Sequence, residues 1–107
     1  MRKEEIIKVL KKVVKDLTTE NYNSVYYNDK NKRLSIPEIR TAIEEYKGKI
    51  TLPPDNAFDF FYNYNNEISI ENFVEFNLWF NNEESDLTLC ITIYKSGEYS
   101  IEDIHVL

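Results

Sequence analysis

The stretch ENFVEFNLWF (71–80) is the clearest indication of the fold class, because apolar and polar side chains alternate along it with the period of a β-strand. The stretch LTLCITIY (87–94) repeats this alternation. Since successive side chains of a strand point to opposite faces of a sheet, each stretch has one apolar face. The apolar faces consist of Val74, Phe76, Leu78 and Phe80 and of Leu87, Leu89, Ile91 and Ile93. The two stretches therefore predict neighbouring antiparallel strands that cover one core.

The link between these strands sets their register. Bringing the two apolar faces into line predicts that Asn81 opposes Asp86, with residues 82–85 as a four-residue loop. Before the first strand, residues 50–58 are predicted to run extended, because a proline disfavours helical angles in the residue before it. Aromatic side chains alternate over residues 58–64, which predicts a further strand there.

The end of the chain is predicted to form a second hairpin with two bulges. Residues 95–97, KSG, fit a three-residue loop in which Gly97 takes the left-handed conformation of a G1 bulge. After this loop the apolar side chains change from odd to even numbers, at Ile104 and Val106. Because a strand changes its inward face only where a residue is inserted, we expect a second bulge at 102–103.

Two helices are predicted before the strands. Residues 3–17 carry an apolar stripe at helical spacing, and their other face is basic. Such a helix can lie on a membrane, but a stripe beside predicted strands favours packing on the sheet. A second helix is predicted over 36–47, where Ser35 and Glu38 form a capping box and Gly48 ends the helix.

The order of these elements predicts an α+β fold in a single domain that spans residues 1–107. Two N-terminal helices are expected to pack on one face of a bent antiparallel β-meander of three to four strands. A chain of 107 residues can bury a core without metals or disulfides. The single cysteine, Cys90, excludes an intramolecular disulfide.

The charge is distributed unevenly along the chain. Residues 1–50 contain 12 lysines and arginines against 8 acidic residues, a net charge of +4. Residues 51–107 contain one cation, Lys95, against 11 acidic residues, a net charge of −10. The acidic half repels phosphates, so no nucleic acid is expected as a partner. It attracts a basic protein. Alternatively, the acidic residues form only a solvated surface and attract no particular partner.

Several classes of protein are not expected from this composition. The N-terminal residues 1–17 are charged throughout and lack the apolar run of a signal peptide, and no stretch approaches the roughly 20 apolar residues of a membrane span. We therefore expect a soluble cytoplasmic protein without a membrane partner. The two glycines each lie in a predicted turn, so no phosphate-binding loop can form. One histidine and one cysteine predict no metal site, and we expect no cofactor.

Three segments carry a resemblance to known proteins. They are LSIPEIRTAIEEYKGKITLPPDNAF (34–58), SDLTLCITI (85–93) and IEDIHVL (101–107). Together they resemble an uncharacterised family of short acidic bacterial proteins. The predicted topology also resembles the cone-shaped nuclear-transport-factor-two-like and cystatin-like α+β folds. The resemblance implies a bacterial cytosolic domain and brings no activity to any residue.

The sequence holds a few residues of catalytic type. His105 is the only histidine and follows Asp103 by two positions. A histidine oriented by a carboxylate in a cone-shaped pocket can act as a general base, with Asp86 nearby. The predicted bulge, however, places His105 on the outer face of the sheet near the end of the last strand, where excluding water is difficult. Cys90 is predicted on the same face in acidic surroundings, which disfavour a thiolate.

The outer face of the sheet is the stronger candidate site. It is predicted to carry large aromatic side chains between carboxylates: Glu71, Phe73, Glu75, Trp79 and Tyr94. These residues form either a second, smaller core that is covered by loops or by the 58–64 segment, or a binding surface in which aromatic residues anchor and charges steer.

Two functions follow from these observations as expectations. The first is a non-catalytic protein-binding module, such as a bacterial immunity or antidote protein that neutralises a basic toxin. The second is a cone-fold small-molecule-binding protein or enzyme that uses Asp86, Asp103 and His105. A homodimer stays open as a further alternative.

Overall fold

Three helices precede an antiparallel sheet in the computed structural model, which describes residues 1–107. The helices are α1 (Lys3–Thr18), α2 (Tyr22–Tyr27) and α3 (Ile36–Glu44). The strands are β1 (Ile50–Thr51), β2 (Tyr62–Asn63), β3 (Glu71–Phe80), β4 (Glu83–Tyr94) and β5 (Tyr99–Val106), and a 3₁₀ turn (Asp55–Asp59) lies between β1 and β2. The strand order is β1–β3–β4–β5, and β2 also pairs with β3. The predicted α+β class is confirmed.

The helices pack through the predicted stripes. The apolar side chains of α1 are buried together with the inward faces of β3, β4 and β5, in one hydrophobic cluster of 24 residues. The capping box of α3 is present: the Glu38 N–H donates to Ser35 Oγ, and the Ser35 N–H donates to Glu38 Oε1. The helix ends at Glu44, three residues earlier than the predicted limit of 47. None of the helices combines the length and the apolar run that crossing a lipid bilayer requires.

The predicted register between β3 and β4 is wrong by two residues. Val74 opposes Ile91, and the strands are joined by a two-residue turn rather than by a four-residue loop. Asn81 and Asn82 form this turn with φ angles of 54° and 63°, the left-handed conformation that asparagine tolerates and that matches the twist of a hairpin. A slip of two residues keeps every side chain on its predicted face.

A bulge accommodates the residues of β4 that the short turn displaces. The pairing shifts between Asn77, which opposes Thr88, and Trp79, which opposes Glu84. Inside this bulge the Ser85 hydroxyl donates to the carbonyl oxygen of Leu78 at 2.6 Å, so the side chain replaces a ladder hydrogen bond. A bulge at this point was not predicted.

Both predicted features of the last hairpin are confirmed. Gly97 has a φ of +92° in the three-residue loop 95–97, which is closed by a hydrogen bond from the Tyr94 N–H to the Glu98 carbonyl oxygen at 2.9 Å. The β4–β5 pairing shifts between Cys90, which opposes Asp103, and Ile91, which opposes Ile101. Glu102 is thus the inserted residue, as the change from odd to even apolar positions indicated.

The predictions for residues 50–64 are corrected. Instead of an extended run and a long strand, the chain forms two-residue strands on either side of a 3₁₀ turn. Pro54 precedes this turn, and the ring of Phe58 stacks on Phe76 with centroids 5.1 Å apart. Burial of this ring draws the segment into the core and interrupts the strand. Because β1 pairs with Trp79 and Phe80 and β2 with Val74 and Glu75 on the same edge of β3, residues 76–78 pair with neither.

A buried carboxylate ties the loop after α2 to β5. Asp29 is 3 % exposed, and its Oδ2 accepts the backbone N–H of Ile101 at 2.8 Å. Its Oδ1 accepts the N–H groups of Asn31 and Lys32 within its own loop, at 3.1 Å and 2.9 Å. The Lys30 N–H also donates to the carbonyl oxygen of Tyr99. This loop therefore covers the first residues of β5, which form an edge of the sheet.

Candidate functional site: the outer face of the sheet

The face of the sheet opposite the helices, called the outer face below, carries the predicted site residues. Phe73, Glu75 and Trp79 project from β3 and are half-buried. Glu71 opposes Tyr94 at the far end of the same strand pair. The Tyr94 ring is already covered by the ammonium group of Lys30, 4.2 Å from the ring centroid. The structure thus brings the β3 residues together and leaves Tyr94 at the margin.

Three aromatic residues before β3 enlarge this face. The rings of Tyr62 and Tyr64 lie 4.5 Å apart, and that of Tyr64 lies 5.3 Å from Phe73. The segment therefore covers part of Phe73, as one of the two interpretations expected. Yet Tyr62 and Tyr64 are themselves 62 % and 56 % exposed, and Phe60 is 76 % exposed. The aromatic surface is therefore wider than the predicted one. In the sequence, only the alternation of aromatic residues over 58–64 indicated these additional rings.

Four carboxylates of the outer face have no lysine or arginine partner. The ion pairs with lysine or arginine involve other acidic residues: Glu5, Asp55, Glu98 and Glu102. The four carboxylates that stand without such a cation on the outer face are Glu71, Glu75, Glu84 and Asp103. Because no lysine or arginine neutralises these four charges, this part of the surface has a negative potential that attracts cations.

The environment of Glu75 disfavours nucleophilic chemistry at Cys90. The thiol of Cys90 lies 3.9 Å from Glu75 Oε2 and is 3 % exposed. Burial, followed by the charge of Glu75, raises the pKa of this thiol to about 11. The hydroxyl of Tyr64 donates to Glu75 Oε1, and this bond raises the pKa of Tyr64 to about 12. Both groups therefore stay protonated at neutral pH.

The residues of the alternative function do not converge. Asp103 Oδ2 lies 2.9 Å from His105 Nδ1, so the predicted histidine–carboxylate pair is present on the outer face. Asp86 instead accepts a hydrogen bond from Tyr46, whose ring packs on Phe80 on the helix side of the sheet. No group of three or more histidine, cysteine, aspartate or glutamate side chains could hold a metal ion.

Asp103 has a structural task as well. Its Oδ1 accepts the backbone N–H of Ile104 at 2.8 Å. This part of β5 lies on the edge of the sheet, where an unpaired N–H would be open to another strand. Two backbone N–H groups of β5 therefore donate to carboxylates: that of Ile104 to Asp103 and that of Ile101 to Asp29.

Two hollows open on the outer face beside the unpaired residues of β3. The first, about 400 Å³, contains Glu75 and is lined by Phe60, Phe61, Tyr62, Asn77 and Leu107. The second, about 320 Å³, contains Glu84 and is lined by Pro54, Asn56, Ala57, Phe60, Phe76, Asn77 and Trp79. Each therefore combines a single carboxylate with aromatic walls, and they share Phe60 and Asn77.

Comparison with known proteins identifies the family without assigning an activity. No curated protein and no solved structure matches the chain. A model of a domain of unknown function, DUF7668, matches residues 14–107, which include the last turn of α1 and every element after it. The expectation of an uncharacterised family is thus confirmed. The match spans well over half of the sequence, and the chain belongs to the DUF7668 family.

Proposed function

We propose that this protein is a non-catalytic module that binds a basic protein through the outer face of its sheet. The observation that carries the proposal is the surface on which exposed aromatic rings surround carboxylates without lysine or arginine partners. Aromatic side chains are the usual anchors of protein interfaces, and unbalanced charge accelerates encounter with an opposite charge. The surface has both properties.

The most specific form of the proposal is a bacterial immunity or antidote protein in the cytoplasm, whose partner is a basic toxin. Neutralising an enzyme before it acts demands fast capture, and electrostatic steering raises association rates by about 10- to 1000-fold. The strongly acidic half of the chain, with a net charge of −10 over residues 51–107, supports this form. A homodimer is the other assembly to be tested.

A small-molecule-binding or enzymatic function has weaker support. The oriented pair of Asp103 and His105 favours it, but both side chains are about half exposed. Asp86 lies on the other side of the sheet with Tyr46. General acid–base catalysis needs these groups around one substrate position, which their separation prevents.

The proposal is tested by affinity capture from the native cell and by surface-plasmon kinetics with the captured partner. Raising the salt concentration should slow association by about tenfold or more, because screening shortens the reach of the field. Glu71→Lys and Glu75→Lys should lower the association rate, whereas Trp79→Ala should speed dissociation by removing an anchor. Glu45→Lys, an exposed charge reversal at the end of α3, is the matched control.

The outcome that contradicts the proposal is equally definite. Association that does not depend on salt, with Glu71→Lys, Glu75→Lys and Trp79→Ala binding like the wild type, would show that the interface lies elsewhere. Binding lost equally in the Glu45→Lys control would indicate a general effect of charge.

A further inference from the structure

The hollow around Glu75 differs from the rest of the outer face in its lining. Four of its six residues are apolar or aromatic: Phe60, Phe61, Tyr62 and Leu107. Phe60 and Tyr62 present large exposed ring surfaces. Because Tyr62 opposes Glu75 directly across the β2–β3 pair, a ring and a carboxylate line the same hollow from neighbouring strands. A group that fills this space must match a flat apolar wall and a negative charge.

The hydrogen bonds of the two polar lining residues leave one acceptor available. Both ends of the Asn77 amide are engaged, since its nitrogen donates to Glu84 at 2.9 Å and its oxygen accepts from Thr88 at 3.0 Å. Glu75 Oε1 accepts from Tyr64, but the only donor near Oε2 is the weakly polar thiol of Cys90, at 3.9 Å. Glu75 is therefore a half-buried carboxylate with an oxygen that lacks a strong donor.

The adjacent hollow differs in the burial of its carboxylate. Glu84 receives the amide of Asn77 on one oxygen and is exposed, so water reaches its other oxygen. Glu75 is half-buried, so a cation beside it supplies a strong donor where water has less access. Charge-assisted hydrogen bonds to carboxylates are about twice as strong as neutral ones.

We infer that the Glu75 hollow is the seat of an arginine side chain of the basic partner. A guanidinium group is planar, stacks on aromatic faces and donates to carboxylates, so it fits both the ring of Tyr62 and the free oxygen of Glu75. A lysine ammonium group is more strongly hydrated and offers no flat surface. This inference rests on the proposed function and names the group that the surface recognises.

The test is an NMR titration of the full chain with N-acetyl-arginine amide. Signals of Tyr62 and Glu75 should shift, with a dissociation constant of about 1–10 mM, which is typical of a fragment that gains only a few kcal/mol. N-acetyl-norleucine amide, which has an apolar side chain, should bind at least about tenfold more weakly. The Glu75→Gln variant keeps an acceptor for Tyr64 but loses the charge, and it should weaken arginine binding about fivefold or more.

The matched control is Glu45→Gln, the same change at an exposed position at the end of α3, which should leave the arginine-induced shifts at Tyr62 unaltered. Backbone spectra of both variants verify that the fold is intact. Equal binding of the norleucine and arginine probes, or shifts that persist in Glu75→Gln, would overturn the inference. A partner that binds Glu75→Gln like the wild type but loses affinity for Trp79→Ala would also overturn it, while the proposed function would stand.

Discussion

Replacing Asp29 with alanine tests whether one buried carboxylate holds the helical half of the chain to the sheet. The side chain accepts three backbone N–H groups: those of Asn31 and Lys32 in its own loop and that of Ile101 in β5. Ile101 is fully buried, so its N–H gains no water when the carboxylate is removed. Lys32 has a φ of +51°, a conformation that is unfavourable for a residue with a side chain and that the bond to Asp29 helps to stabilise.

The expected loss can be worked out from these contacts. A buried donor left without a partner costs about 1–3 kcal/mol, and hydrogen bonds to a charged group contribute about 1.5–3 kcal/mol each when buried and less near solvent. The loss of the bond from Ile101 together with the two loop bonds therefore predicts that Asp29→Ala destabilises the fold by about 3–5 kcal/mol. A domain of this size is typically stable by about 5–15 kcal/mol, so the variant should still fold.

The assay is urea denaturation followed by circular dichroism and by the fluorescence of Trp79. Asp29→Asn should lose about 2 kcal/mol, since its amide keeps one acceptor but cannot satisfy both the loop and Ile101. Asp55→Asn is the control, because its ion pair with Lys11 is exposed and contributes less than about 1 kcal/mol. If Asp29→Ala lost less than about 1 kcal/mol, or if the amide proton of Ile101 exchanged as slowly as in the wild type, the reasoning would be refuted.

Three further predictions concern the two faces of the sheet. Phe76→Ala should cost about 2–5 kcal/mol in chemical denaturation and the outward-facing Thr92→Ala less than about 1 kcal/mol; equal losses would contradict the assignment of the faces. Burial raises the pKa of the Cys90 thiol from 9.0 to about 11, so the unfolded state loses this proton at lower pH than the folded state. The free energy of unfolding should therefore be unaffected by this thiol below pH 9 and should decrease as the pH rises from 9 toward 11. Cys90→Ala should remove that part of the pH dependence, and an unchanged slope would refute the cause. Asp103→Ala should free the N–H of Ile104 at the sheet edge and increase self-association, as measured by sedimentation. Asp103→Asn is the control, because its carbonyl oxygen can still accept this N–H. Equal masses for the two variants would count against an edge-protecting role of Asp103.

The register between β3 and β4 shows where reasoning from periodicity stops. An alternation of period two distinguishes the inward from the outward face, and it placed Val74 and Ile91 correctly in the core. The same alternation is unchanged when one strand slides by two residues, so it could not choose between Ile91 and Ile93 as the residue opposite Val74. The two-residue turn at Asn81 and Asn82 and the bulge beside Leu78 together made that choice.

The helices show a similar boundary. The stripe of α1 and the capping box of α3 are local patterns, and both predicted their helices. The short α2 lacks such a pattern and was not predicted. It is held instead by burial of Tyr22 and Val25 and by a hydrogen bond from the Tyr99 hydroxyl to the Val25 carbonyl oxygen, at 2.7 Å. A helix of six residues is too short to be stable without such contacts.

The candidate site divides in the same way. The alternation of aromatic residues and carboxylates on β3 and the acidity of the second half of the chain follow from the sequence alone. The pairing of Tyr62 with Glu75, the hollow between them and the bond from Ile101 to Asp29 do not follow from it. Alternation and capping depend on neighbours in the chain and net charge on composition, whereas a hollow or a buried hydrogen bond exists only once distant segments have packed together.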